Sequence, residues 1–285
     1  MIRTCFVAGS PIAQSRSPLI HRHWIAQLGI TADYVRVETD VSSLPALLAQ
    51  IRGQHYLGGN LTKPLKEAAV PLLDVLTPDA AVMGAVNTVF MSAGQLTGAN
   101  TDVPGFFGHL DDKCPNWADS VDKVLVLGAG GAARAVIYGL LQRRIPSIMI
   151  ANRSRARVDA LMASFAGMLG VTRLDPVPWP VGAEMIASSQ LVINTTSLGM
   201  AGQPPLEVPL PDSMAGTIVY DIVYVPLETN LLRTARLRGA TTVDGLGMLL
   251  HQAAVAFGHW FDTVPQVTPE LWSMVAADIT RTTGS

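Results

Sequence analysis

The chain has 285 residues, 49% of them hydrophobic and only 15% charged, with a formal net charge of −2. So much apolar chain can bury two modest cores, which excludes a disordered protein. A near-neutral charge supplies no basic field of the kind that nucleic acids and membrane surfaces select. Cys5 and Cys114 are far apart and lack CxxC spacing, which argues against a disulfide framework or zinc site and suits a reducing, cytoplasmic compartment.

In chain order, Thr4–Gly9 is apolar and strand-like, so the N-terminus reads as a first strand and not as a signal peptide. A helix is predicted from Pro18, with Leu19, Ile20, Trp24 and Leu28 at helical spacing and Gly29 as its stop. Ala32–Val37 reads as a strand, Leu44–Arg52 as a helix, 56–61 as a short apolar segment and Lys66–Leu76 as a helix closed by Thr77-Pro78. Two short strands, 85–91 and 95–98, flank a Ser-Ala-Gly turn. A helix at 104–110 leads into a polar linker.

From Lys123 the alternation resumes. Strands are predicted at 124–127, 147–151, 191–194 and 218–221, and helices at 132–143, 156–166 and 181–188. Pro204–Pro211 is a proline-rich loop, followed by a strand at 241–243 and a helix at 248–260. Repeated strand–helix order defines an α/β protein of two domains: an N-terminal α/β substrate domain with a mostly parallel sheet, and a Rossmann-like dinucleotide-binding domain. The expected boundaries are 1–105 for substrate binding and catalysis, 106–240 for the dinucleotide, and 241–285 as a helical segment returning to the first domain. No apolar run approaches the roughly 18 residues of a membrane span.

Gly128-Ala129-Gly130-Gly131-Ala132-Ala133 gives GxGxxA directly after a strand and at the start of a helix. The first glycine permits the tight turn, the second lets backbone N–H groups approach a pyrophosphate, and the small third residue lets helix and strand pack closely. At the end of the next strand, where an acid usually meets a 2′-hydroxyl, stand Asn152, Arg153 and Ser154, with Arg155 and Arg157 following. Guanidinium groups attract a 2′-phosphate that an acid would repel, so NADP is favoured over NAD. The segment 194–200 (NTTSLGM) suits either a loop against the cofactor or a plain turn.

The first half places polar groups at several strand ends. Ser15 and Ser17 precede a helix and can hold a carboxylate or simply cap it. Asn60, Thr62, Lys63 and Lys66 follow one strand, and Asn87-Thr88 and Asn100-Thr101-Asp102 accompany later ones. The six histidines show no metal-ligand arrangement; His21 and His251 fall near the candidate site residues but read as packing or surface residues.

Nine segments, GSPIAQSRSPLIH, GGNLTKPLKEAA, GAVNTV, GANTD, VLGAGGAARA, ANRS, NTTSLGM, DIVYVPLET and DGLGMLLHQAA, resemble the shikimate dehydrogenase family in order and spacing over nearly the whole chain. The resemblance implies an enzyme that reduces 3-dehydroshikimate to shikimate with NADPH, in the chorismate route to aromatic amino acids. It implies that Ser15 and Ser17, helped by Tyr224, hold the substrate carboxylate, and that Asn60, Thr62, Asn87 and Gln252 bind ring hydroxyls. Lys66 and Asp102 match the catalytic pair. Gly128, Ala129, Gly130, Gly131, Ala132, Asn152, Arg153, Ser154, Arg157, Thr195, Gly245 and Met248 match the cofactor site, and no metal is implied. The chain departs from the usual family pattern at Lys63, Leu65 and Val103-Pro104. The chemistry requires the Lys66–Asp102 pair to meet a nicotinamide held by the second domain. Partners are expected to be the small-molecule substrate alone, without nucleic acid or membrane, in a monomer or homodimer. Rival readings are a quinate/shikimate or aminoshikimate dehydrogenase, a methylenetetrahydrofolate dehydrogenase, and a non-catalytic NADP-sensing protein with no need for Lys66 and Asp102.

Overall fold

The computed structural model describes residues 3–283. The chain divides into two compact units: 3–105 with Leu250–Val275, and Phe106–Leu249 with the described residues from Ala276 onward. The first unit contains β1 (Arg3–Gly9), α1 (Ser17–Gln27), β2 (Ala32–Glu38), α2 (Leu44–Arg52), β3 (Gly58–Leu61), α3 (Leu65–Ala68), β4 (Val75–Leu76), α4 (Pro78–Met83), β5 (Thr88–Ser92), β6 (Gln95–Ala99) and the start of α5 (Asp102–Lys113). Its sheet runs β2-β1-β3-β5-β6-β4. β5 alone runs against the other strands. The cause is local: Ala93 and Gly94, at φ 48° and 78°, make a two-residue turn that can only join antiparallel neighbours. Leu44, Leu47, Leu48 and Ile51 of α2 pack with Phe6, Leu61, Leu65 and Val89 under this sheet.

The second unit contains β7 (Lys123–Leu127), α6 (Gly131–Gln142), β8 (Ser147–Ala151), α7 (Arg155–Ser164), β9 (Arg173–Val177), α8 (Ala183–Ala187), β10 (Leu191–Asn194), β11 (Ile218–Asp221), α9 (Asn230–Leu237) and β12 (Thr241–Val243). α10 (Gly245–Phe261) and α11 (Pro269–Thr283) follow. All five strand pairings in β12-β11-β10-β7-β8-β9 are parallel. This is the doubly wound order 3-2-1-4-5-6, whose switch point falls between β7 and β10. The strand interiors Val124–Leu127 and Leu191–Ile193 are fully buried, as parallel strands covered on both faces require.

Four features differ from the sequence expectation. The helix predicted over 66–76 stops at Ala68, gives way to a 3₁₀ turn at Val70–Leu72 and ends in β4. Pro71 has no N–H to continue the ladder. α4 then starts behind Thr77, whose hydroxyl accepts from Ala80 N–H. β9 was not predicted because it is an edge strand carrying Arg173, Asp175 and Pro176, which only an edge tolerates. α9 was likewise not predicted; it buries only Leu231, Leu232 and Ala235 from an otherwise polar text. Finally, the segment expected to leave the second domain at 241 stays there: β12 pairs with β11, and the chain passes to the first unit at Leu250.

Among the described residues no helix is long and apolar enough to cross a membrane. His21, on α1, is fully buried and stacks on Tyr34 with ring centroids 4.2 Å apart, among Trp24, Phe257 and Trp260. Burial pushes its pKa down to about 3. It is a packing residue.

Candidate active site

In the first unit the polar groups predicted from separate strand ends meet. Lys66 Nζ, on α3, lies 2.7 Å from Asp102 Oδ2, at the start of α5. Their side chains are 31% and 15% exposed, so the pair is sheltered yet open to a ligand. Asn87, in the turn before β5, donates from Nδ2 to Asp102 Oδ1 at 2.9 Å and to Gln252 Oε1 on α10 at 3.3 Å. Its Oδ1 accepts from Thr101 N–H, Thr101 Oγ1 and Thr88 Oγ1. The Thr101 N–H can only donate, which fixes the amide so that Nδ2 must face Asp102. Asn87 is 3% exposed, and its fixed amide holds the Asp102 carboxylate from the side opposite Lys66.

Asn60, at the end of β3, donates to Asn87 O and Thr88 Oγ1 and accepts from the buried Tyr34 hydroxyl at 2.6 Å. Ser15 Oγ donates to Ser17 Oγ at 3.3 Å, just where α1 begins. Two side chains of β2 hold that serine loop: Arg36 Nε donates to Ser15 O at 3.0 Å, and Glu38 accepts from Ile12 N–H. Thr62 lies between β3 and α3, half-buried, with Lys63 exposed beside it. Of the departures from the family pattern, Leu65 is fully buried and Val103 nearly so, which makes them core residues. Tyr34, Arg36 and Glu38 were missed by the sequence reading. Each acts through a contact with a residue distant in the chain, and no local pattern encodes that.

In the second unit the glycine turn lies at the switch point. Gly128 has φ +119°, and a Cβ there would lie 2.4 Å from Thr195 Oγ1. Over Gly130 and Gly131 a Cβ would meet nothing within 4 Å, so open space lies above the N-terminus of α6. No acid occupies the first turn of α6. A strand, a turn closed to side chains and a bare helix N-terminus fit a dinucleotide pyrophosphate. Thr195 is 8% exposed, and its hydroxyl donates to Leu127 O at 2.7 Å, tying β10 to the strand that carries the turn.

After β8, Asn152 Nδ2 donates to Ser154 O, and Ser154 Oγ caps α7 by accepting from Arg157 N–H. Arg155 is paired with Asp159 at 2.8 Å, whereas Arg153 and Arg157 are exposed and have no ion-pair partner among the described residues. These two guanidinium groups are available to a phosphate. Gly245 packs on the backbone after β11, where a Cβ would meet Ile222 O at 2.2 Å. Met248 and Tyr224 are half-buried in the same unit.

A doubly wound sheet with an accessible glycine turn, in one chain with an oriented lysine–carboxylate pair, defines a dinucleotide-dependent oxidoreductase. Residues 7–89 match the shikimate dehydrogenase substrate binding domain, and residues 113–199 match the shikimate/quinate 5-dehydrogenase domain. The chain belongs to the shikimate dehydrogenase family. It is 46% identical to a shikimate dehydrogenase (NADP⁺) of Azorhizobium caulinodans, over 96% of this chain and 95% of that one. Shikimate 5-dehydrogenase of Thermus thermophilus, solved with NADP(H) and shikimate, superimposes with a TM-score of 0.81 at 35% identity, over 97% of this chain and 99% of that one. Quinate dehydrogenase of Corynebacterium glutamicum, solved with NAD, gives 0.87 at 31% identity, over 96% and 99%.

Proposed function

We propose that this chain catalyses the reversible, NADP-dependent reduction of 3-dehydroshikimate to shikimate in the chorismate route, in the cytoplasm, as a monomer or homodimer. The observation that carries the reading is the Lys66–Asp102 contact of 2.7 Å, oriented by a buried asparagine whose amide can point only one way. NADPH supplies the hydride when bound. Gly128, Ala129, Gly130, Gly131 and Ala132 would hold its pyrophosphate, Asn152, Arg153, Ser154 and Arg157 its adenosine phosphate, and Thr195, Gly245 and Met248 would line the remainder.

As hydride reaches a ketone carbon, negative charge builds on the oxygen. Lys66 Nζ donates a hydrogen bond to that oxygen and then a proton, and takes the proton back in the reverse direction. Asp102 keeps the amine aimed and accepts from a neighbouring ring hydroxyl. Ser15 and Ser17, supported by Tyr224, take the carboxylate, and Asn60, Thr62, Asn87 and Gln252 surround the hydroxyls. The decisive experiment follows NADPH absorbance with shikimate and NADP, with quinate and NAD in parallel. Shikimate with NADP should turn over fastest. Turnover only with quinate and NAD would transfer the chain to the quinate reading, which the likeness to the C. glutamicum enzyme keeps as the second choice.

The phosphate assignment makes its own prediction. Arg153→Ala should raise KM for NADP about tenfold, the worth of one charge-assisted hydrogen bond, while KM for NAD changes little. Equal shifts for the two cofactors would remove Arg153 from the phosphate site.

A further inference from the structure

Asp221 ends β11 and is fully buried, although it closes an otherwise apolar strand. Burial pushes its carboxyl above the usual carboxylate range, against hydrogen bonds from Thr229, Val223 and Asn194 that favour the charge. Oδ1 accepts from Asn194 Nδ2 at 2.9 Å and from Val223 N–H at 3.0 Å, and Oδ2 accepts from Thr229 Oγ1 at 2.7 Å. Asn194, at the end of β10, passes the constraint on. Its Oδ1 accepts from Thr196 N–H and Thr196 Oγ1, and its Nδ2 also reaches Leu198 O. Thr196 Oγ1 in turn accepts from Leu198 N–H at 3.1 Å. Between them, Thr195 donates both its N–H and its hydroxyl to Leu127 O, the residue before the glycine turn. The buried carboxylate thus ties the end of β11 to the end of β10, whose next residue, Thr195, is bonded in its own right to the end of β7, beside the switch point where ligands of such sheets bind.

We propose that Asp221 is a positioning residue for cofactor binding, holding the 194–199 and 222–229 loops in the arrangement that accepts the dinucleotide; this rests on the NADP reading above. The role needs acceptors, not bulk. Asp221→Leu keeps the volume but leaves the Asn194 amide, the Val223 N–H and the Thr229 hydroxyl without a partner, the costly form of a lost hydrogen bond. Asp221→Asn can keep an oxygen toward Asn194 and Val223, with its amino group toward a Thr229 hydroxyl that rotates to accept. Thr196→Val leaves the carboxylate alone and removes only the onward link.

The test is calorimetric titration of the whole chain with NADP, without substrate, alongside melting temperature and KM for shikimate. Asp221→Leu should weaken NADP binding about tenfold or more, with KM for shikimate within about twofold of the parent. Asp221→Asn should restore affinity to within about threefold, and Thr196→Val should weaken it about threefold at unchanged melting temperature. NADP affinity within about twofold of the parent in Asp221→Leu, or in Thr196→Val should the leucine variant not fold, overturns the proposal. So does a parallel worsening of NADP affinity, shikimate KM and melting temperature, the pattern of a residue that only stabilises the fold. A parent protein that binds no NADP would instead refute the cofactor reading and leave this network to be judged by stability alone.

Discussion

Lys66→Ala is expected to lower kcat by about 10²–10⁴-fold, the usual contribution of a positioned general acid, or roughly 3–5 kcal/mol of transition-state stabilisation. KM for shikimate and Kd for NADP should stay near the parent values. The reason for the split is geometric. The carboxylate that Lys66 faces keeps its second anchor, Asn87 Nδ2 on Asp102 Oδ1 at 2.9 Å, so the frame around the ring survives when the amine is gone. The serine loop is held from elsewhere, by Arg36 and Glu38 of β2. Only the charge that develops on oxygen during hydride transfer loses its partner, and that charge is absent from both ground states. Steady-state kinetics with shikimate, combined with calorimetric NADP binding, reads the two sides separately. Unchanged turnover would remove Lys66 from the mechanism, and an equal loss of binding and turnover would make it a structural residue.

The second large effect concerns stability and acid. His21 is fully buried among Tyr34, Trp24, Phe257 and Trp260, and neither ring nitrogen has a hydrogen-bond partner among the described residues. Its pKa falls from 6.5 to about 3 because burial penalises the cation. Between those values the unfolded chain binds one more proton than the folded one. Stability is therefore intact above the unfolded pKa and is lost as pH falls below it. At about pH 4.5 the loss from this one group amounts to about 3 kcal/mol. His21→Phe keeps an aromatic ring in the stack and cannot be protonated. Urea denaturation at about pH 7 and about pH 4.5 should show the parent losing about 3 kcal/mol more than the variant between the two conditions. Parallel losses would mean that the imidazole takes up its proton without leaving its aromatic surroundings.

Much of the second unit was legible before any coordinates. β7, β8, β10 and β11 are short apolar runs bounded by glycine and polar residues, and GAGGAA follows the first of them, so the turn and its helix announce themselves locally. Legibility failed where a neighbour decided the outcome. β9 is a strand because β8 offers it an edge, not because RLDPV has strand character. In 66–76 the apolar spacing read as one helix, yet Pro71 divides it and Val75–Leu76 pairs with β6 instead. Asp221 lay inside a segment already matched to the family, and its link to Asn194, 27 residues earlier on the neighbouring strand, carries no local sign in the sequence.

The sequence by itself determined which chemical groups this protein possesses and roughly where along the chain each would fall: two serines at a helix start, an amine after β3, an acid after β6, a glycine turn after β7, arginines after β8. Those features are local, set by backbone freedom, periodicity and capping within a few residues. The tertiary structure decided which groups touch. The 2.7 Å approach of Lys66 to Asp102 and the fixed Asn87 amide between Asp102 and Gln252 join residues 15 to 165 positions apart, and the Asp221 carboxylate reaches Asn194 27 positions away on the neighbouring strand. Such contacts form only when the sheets bring strand ends side by side, and burial then makes each unmatched donor costly enough to fix its partner.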